Sequence, residues 1–149
     1  MNKVSMSEIV PLIKEIISGG GKFSFKVTGS SMFPLLIEGR DSVILEKVHT
    51  LKAGDIILYQ RDDGNYVLHR IVKIKNGELY LCGDAQFVIE YPIRYDQVIA
   101  VVTSIVRKGE TIPVTDSKYK FYTKVWCHSF KARPYILKAY GKIRKPFKK

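Results

Sequence analysis

From residue 22 to residue 107 the chain is cut repeatedly by glycine-bearing turn sequences, which leave little room for long helices. The breaks fall at Glu38-Gly39, Ala53-Gly54, Asp62-Asp63-Gly64, Asn76-Gly77 and Lys108-Gly109. Many of the short runs between them alternate apolar with polar residues, the period that sends successive side chains to opposite faces of a strand. Strands are predicted at 23–28, 42–47, 55–60, 66–74, 78–82, 98–106 and 111–114. Asn76-Gly77 joins two such runs, and this pair tolerates the positive φ angles of a tight hairpin. The expected fold class is mainly β.

Helical patterns flank this region. Ser5 and Glu8 have the spacing of a capping box for a short helix over 6–18. Ile9, Leu12, Ile13 and Ile16 are assigned to its apolar face, and Gly19-Gly20-Gly21 ends it. Past residue 116, Phe121, Tyr122, Val125, Trp126, Ser129 and Phe130 recur at helical spacing, and Pro134 suits the first turn of a second helix. Three segments result: an N-terminal helix with a Gly-rich connector (1–21), a β-rich domain (22–116), and a basic aromatic C-terminal extension (117–149).

Charge separates the last segment from the rest. The net charge is +11, yet residues 1–116 hold 14 basic and 14 acidic side chains. Residues 117–149 hold 11 Lys or Arg and no acid. A basic amphipathic helix of this kind suits the plane of an anionic bilayer surface, with Lys124, Trp126, Phe130, Lys131 and Arg133 as the expected contacts. The competing assignment packs the aromatic stripe on the β domain. No nucleic-acid motif accompanies the charge, and no nucleic-acid partner is expected. The first apolar run, Ile9 to Ile17, contains Pro11, Lys14 and Glu15 and is too short and polar to span a bilayer. With no secretory signal peptide read at the start, the expected location is cytoplasmic or peripheral at the cytoplasmic membrane. Cys82 and Cys127 suggest neither a disulfide framework nor a zinc site, and no metal or cofactor is expected.

The chemistry concentrates in a few short segments. Gly29-Ser30-Ser31-Met32-Phe33-Pro34 follows an alternating run and holds a hydroxyl in a small-residue turn. A serine becomes a nucleophile when a neighbouring base takes its proton. His69, in Tyr66-Val-Leu-His69-Arg70-Ile71-Val72, titrates in the right range to do so. Gly83-Asp84-Ala85-Gln86 then supplies a carboxylate able to orient an imidazole. Asp84 has an alternative role as a cap of its own turn.

These segments, with Leu51-Lys-Ala-Gly54-Asp55-Ile56-Ile57, resemble in order the four boxes of signal peptidases. The related self-cleaving SOS-repressor peptidases share them. Histidine rather than lysine at the base position resembles the endoplasmic-reticulum, archaeal and sporulation-type branch. The resemblance implies Ser31 as nucleophile, His69 as general base and Asp84 as orienting acid, with Glu90 in reserve and Asp96 more distant. Gly29 stands where many signal peptidases carry an oxyanion serine, so the hole is assigned to the Ser31 N–H with Thr28 or Ser30. Met32, Phe33 and Pro34 are expected beside the substrate. The implied function is a serine endopeptidase that cuts signal- or leader-type peptides after small residues, with a peptide or preprotein substrate. Two alternatives stay open: a cytosolic leader peptidase for small ribosomally made peptides, and a non-catalytic peptide-binding module. A self-cleaving regulator fits less well, because its lysine is absent and the only Ala-Gly pair, Ala53-Gly54, follows the serine.

Overall fold

The computed structural model describes residues 6–86, 88–127 and 132–144, with side chains to residue 138 in the last helix. Helix α1 (Met6–Ser18) precedes strands β1 (Phe23–Lys26), β2 (Ser42–Glu46), β3 (Ile56–Gln60), β4 (Tyr66–Lys75), β5 (Glu78–Cys82), β6 (Glu90–Ile93), β7 (Val98–Arg107) and β8 (Glu110–Pro113). Helices α2 (Ser117–Cys127) and α3 (Arg133–Arg144) follow. All strand pairs are antiparallel, in the order β1-β2-β7-β3-β4-β5-β6, with β8 paired to the end of β7. The fold is thus mainly β with helices at both ends.

The predicted strands are present with ends shifted by a residue or two, and β6 is an addition. Pro92 obscures β6 in the sequence because it donates no ladder hydrogen bond. β6 lies at the sheet edge, where a strand proline is tolerated. Asn76 and Gly77 have φ of 54° and 76°, as a two-residue hairpin between β4 and β5 requires. In α1 the fully buried residues are Val10, Ile13 and Ile17, while Leu12 is 48% exposed. The buried stripe is therefore rotated from the one assigned above, because the sheet meets the helix on that side.

Strand β3 is buried on both faces. Ile56 and Leu58 join a core with Ile13, Ile17, Val43, Leu45, Val102 and Tyr119. Ile57 and Tyr59 join a second core with Ile71, Leu79, Leu81 and Ile93. A strand inside two cores reads as a continuous apolar run, which Ile56-Ile57-Leu58-Tyr59 is.

Polar chemistry docks α2. Arg70 and Asp84 are both fully buried. Arg70 Nε and Nη2 each donate to the Asp84 carboxylate at 2.8 Å. Arg70 Nη1 donates to the Gly54 carbonyl at 2.9 Å and to Thr123 Oγ1 at 3.1 Å. Tyr122 Oη donates to Asp84 Oδ2 at 2.8 Å, and Trp126 Nε1 donates to the Asp84 carbonyl at 2.8 Å. The inward face of α2 is thus Tyr119, Tyr122 and Trp126. Phe121, at 70%, and Val125, at 46%, are exposed, so the expected single aromatic stripe divides between two faces.

Breaking one side of a buried ion pair strands the other charge, at a cost of about 3–5 kcal/mol. Arg70→Met is therefore expected to lower unfolding stability by that amount in urea denaturation. Trp126, the chain's single tryptophan, reports undocking of α2 by its fluorescence.

Candidate active site

The nucleophile segment leaves β1 and crosses to β2 as a loop held at several points. Val27 N–H donates to the Asp41 carbonyl at 2.9 Å, and Ile37 N–H donates to the buried Asp41 carboxylate at 2.8 Å. Arg107 Nε donates to the Leu35 carbonyl at 2.9 Å, tying the loop to β7. Met32, Leu35 and Leu36 are buried in the first core. Ser31, between these anchors, stays half-buried.

His69 lies in β4 opposite Ile57 of β3. Successive strand residues face opposite ways, so Arg70 turns into the ion pair with Asp84 while His69 turns toward Ser31. The Gly83–Gln86 turn closes the gap. Ala85 N–H donates to the Ser31 carbonyl at 2.8 Å. A Cβ on Gly83 would lie 2.5 Å from that same carbonyl oxygen and 3.1 Å from His69 Cδ2. Only a glycine permits this approach, and it makes Ser31 and His69 neighbours.

Both residues line one cleft of about 250 Å³, with Phe25, Thr28, Met32, Arg61, Tyr66 and Leu68 among its walls. His69 and Arg61 also border a second depression beside Gln86, Val88, Ile89 and Glu90. Among the described residues, the unpaired side of β1 and the Tyr66–His69 part of β4, which there pairs only with β3, meet at the first cleft. Among the described residues, neither the Ser31 hydroxyl nor the Ser31 N–H has a hydrogen-bond partner. The hydroxyl and the imidazole are not hydrogen-bonded to each other, although both line the cleft.

Behind the imidazole lies Tyr59, with the reserve acid Glu90 beyond it rather than Asp84. Tyr59 Oη is 3.4 Å from His69 Nδ1 and donates to Glu90 Oε1 at 2.6 Å. Since the tyrosine proton goes to Glu90, its oxygen is left to accept the proton of Nδ1. Arg61 Nε donates to Glu90 Oε2 at 2.9 Å and completes the set. Burial pulls His69 down from 6.5 to about 4, against the opposing pull of Glu90, so the ring is neutral at physiological pH. Burial alone would raise the Glu90 carboxyl, but hydrogen bonds from Arg61 and Tyr59 outweigh it and hold Glu90 ionised.

The remaining expected residues fall as follows. Asp84 does not contact the His69 nitrogens by hydrogen bond, because its oxygens are taken by Arg70 and Tyr122. Asp96 pairs with Arg94 on the surface. Thr28 lines the cleft, while Ser30 is exposed and its carbonyl accepts Phe33 N–H. Met32 forms cleft wall and core together; Pro34 is buried and borders a groove with Tyr119 and Tyr122 instead. Phe33 is half-buried and is not part of the cleft wall.

Of the expected membrane contacts, Lys124 is exposed, but Trp126 and Arg133 are buried against the Gly83–Gln86 turn and correct that assignment. Phe130 and Lys131 lie outside the described residues. Tyr59 and Arg61 were not singled out in the sequence; only strand register brings them to His69. Among the described residues no group of three or more His, Cys, Asp or Glu side chains is placed to hold a metal ion. No described helix is long and apolar enough to cross a membrane.

No curated protein sequence matches the chain. The model of the family described as Peptidase S24-like matches residues 2–103. That stretch takes in Ser31, His69, Gly83 and Glu90 and ends before α2. More than half of the chain is covered, in line with the superfamily of signal and repressor peptidases, and the chain belongs to the Peptidase S24-like family, a serine-peptidase type of scaffold.

Proposed function

We propose that the protein is a serine endopeptidase with Ser31 as nucleophile and His69 as general base. The observation that carries this reading is the convergence of Ser31 and His69 across Gly83 in one cleft, with Tyr59 Oη 3.4 Å from His69 Nδ1 behind the ring. Ser31 Oγ attacks a peptide carbonyl while His69 Nε2 takes its proton. The Nδ1 proton points at Tyr59, whose own proton lies toward Glu90. The imidazolium formed in the transition state is thereby near an ionised carboxylate, the part an aspartate plays in a Ser-His-Asp triad. The Ser31 N–H, with the Thr28 hydroxyl at the cleft wall, is assigned to the oxyanion. His69 then protonates the leaving amine, and water hydrolyses the acyl-enzyme.

The substrate in this reading is an extended peptide with small side chains before the cut, of the signal or leader type. The free backbone edges of β1 and of residues 66–69 in β4 suit a strand added between them. The exposed face of α2 is assigned to an anionic membrane surface. Phe121 and Val125 lie there one turn apart, with Lys118 and Lys124 exposed on the same helix.

Incubation with a library of signal- and leader-type peptides, read by mass spectrometry, tests the enzyme. Cuts after small residues by wild type, absent in Ser31→Ala and His69→Ala, are the expected result. Cuts that persist in both variants contradict the assignment. Tyr59→Phe is expected to reduce kcat roughly 10- to 100-fold with little change in KM, less than the roughly 100- to 10,000-fold that general-base catalysis itself supplies.

Because burial lowers His69 to about 4, its basic form persists well below 6.5. The acid limb of kcat/KM is therefore expected near pH 4; a limb near 6.5 would mean a solvated imidazole. Vesicles of phosphatidylserine and phosphatidylcholine are expected to bind the protein less as salt rises, and Phe121→Ser to weaken binding further. Binding that ignores both salt and Phe121 contradicts the membrane assignment.

A further inference from the structure

The family match ends at residue 103, yet the active-site turn is held from outside by α2 and α3. Every residue from Gly83 to Gln86 uses a backbone group in this arrangement. Arg133 Nη1 donates to the Gln86 carbonyl at 2.8 Å and to the Gly83 carbonyl at 3.3 Å. Its Nη2 donates to the Trp126 carbonyl at 3.0 Å, and the guanidinium lies 5.2 Å from the Trp126 ring centroid. Trp126 Nε1 donates to the Asp84 carbonyl at 2.8 Å. On its other side the turn presents Ala85 N–H to the Ser31 carbonyl and the bare Cα of Gly83 to the His69 ring.

Arg133 is fully buried. A guanidinium removed from water needs its donors satisfied, and here several are satisfied by carbonyls of the turn and of α2. Its planar fork fixes the relative directions of those carbonyls in a way that a lysine ammonium does not. With the carbonyls of Gly83, Asp84 and Gln86 drawn outward, the peptide N–H of Ala85 is turned inward to Ser31. The path from the tail to the nucleophile is thus continuous: Arg133 and Trp126, then the turn, then Ser31 and His69.

We propose that Arg133, together with Trp126, is a positioning residue for the Ser31–His69 site, so that the C-terminal helices work as a clamp that sets the active-site turn. This rests on the peptidase reading above and adds a requirement to it: turnover depends on residues outside the family-matched region. The clamp acts on the geometry of attack rather than on substrate contact, so it bears on kcat more than on KM. A displacement of about 1 Å in a reacting group costs on the order of 100-fold in rate.

The test uses the full chain with Arg133→Met, Arg133→Lys and Trp126→Phe, the last keeping a smaller aromatic ring and removing the Nε1 donor. Ile17→Val, a small trim in the core under α1 that touches neither the turn nor the C-terminal helices by hydrogen bond, controls for lost stability. Two quantities are read: kcat and KM on a cleaved peptide, and hydrogen exchange of the Ala85 amide by NMR. In folded Arg133→Met, Ala85 exchange is expected to accelerate at least 10-fold and kcat to fall roughly 10- to 100-fold, with KM within about threefold. Arg133→Lys is expected to recover part of kcat, Trp126→Phe to show a smaller loss, and Ile17→Val to leave both quantities near wild type.

Unchanged Ala85 exchange in folded Arg133→Met and Trp126→Phe overturns the clamp, whatever the activity. Faster exchange with unchanged kcat overturns its role in positioning. A folded wild type that cleaves nothing overturns the peptidase reading and the catalytic part of this proposal with it, while Ala85 exchange still decides whether the clamp exists. Should Arg133→Met fail to fold, Trp126→Phe decides by the same two readings.

Discussion

The buried ion pair of Arg70 and Asp84 is the interaction on which the rest of the arrangement depends. Removing two charges from water costs several kcal/mol each, and only near-complete hydrogen bonding offsets it. Here the Asp84 carboxylate accepts from two guanidinium nitrogens and from Tyr122, and Arg70 reaches Gly54 and Thr123 as well. That one pair therefore joins β4, the loop before β3, the turn after β5 and helix α2. Because His69 precedes Arg70 on the same strand, fixing Arg70 on one face fixes His69 on the other. The turn that carries Asp84 is drawn to the same point, and it brings Gly83 against Ser31.

This geometry assigns the two acids to separate tasks. Asp84, which by order along the chain follows serine and histidine, is spent on structure. Glu90 reaches His69 only through Tyr59, so the imidazole is oriented by a phenol whose proton is already committed. The arrangement keeps the negative charge one group away from the ring. Burial then dominates the imidazole, and the ring stays a neutral base far into acid.

Much of this was legible in the residues. Asn76-Gly77 marks its hairpin, a strand is expected at 55–60 without any sign that it lies between two cores, and Ser31, His69 and Gly83-Asp84 stand in order. What the chain does not display is strand register. Tyr59 meets His69 because β3 and β4 pair Ile57 with His69, a relation set by tertiary packing rather than by local pattern. Asp84 was visible as a carboxylate, but the fully buried Arg70 next to the histidine was not recognised as its partner. Period two along a strand contained that signal. Pro92 hid β6, and with it the setting of Glu90. In the tail, helical spacing marked the aromatics but not their faces: Tyr119, Tyr122 and Trp126 go inward, while Phe121 and Val125 remain outside.

The most direct test of the Ser31–His69 site is covalent labelling of the folded protein with a fluorophosphonate, mapped by peptide mass spectrometry. Such a reagent modifies an activated serine and needs no knowledge of the substrate. A single adduct on Ser31 is expected, formed at least 10-fold more slowly in His69→Ala because the general base is removed. No adduct on the folded wild type, an adduct on another serine, or labelling indifferent to His69 would contradict it.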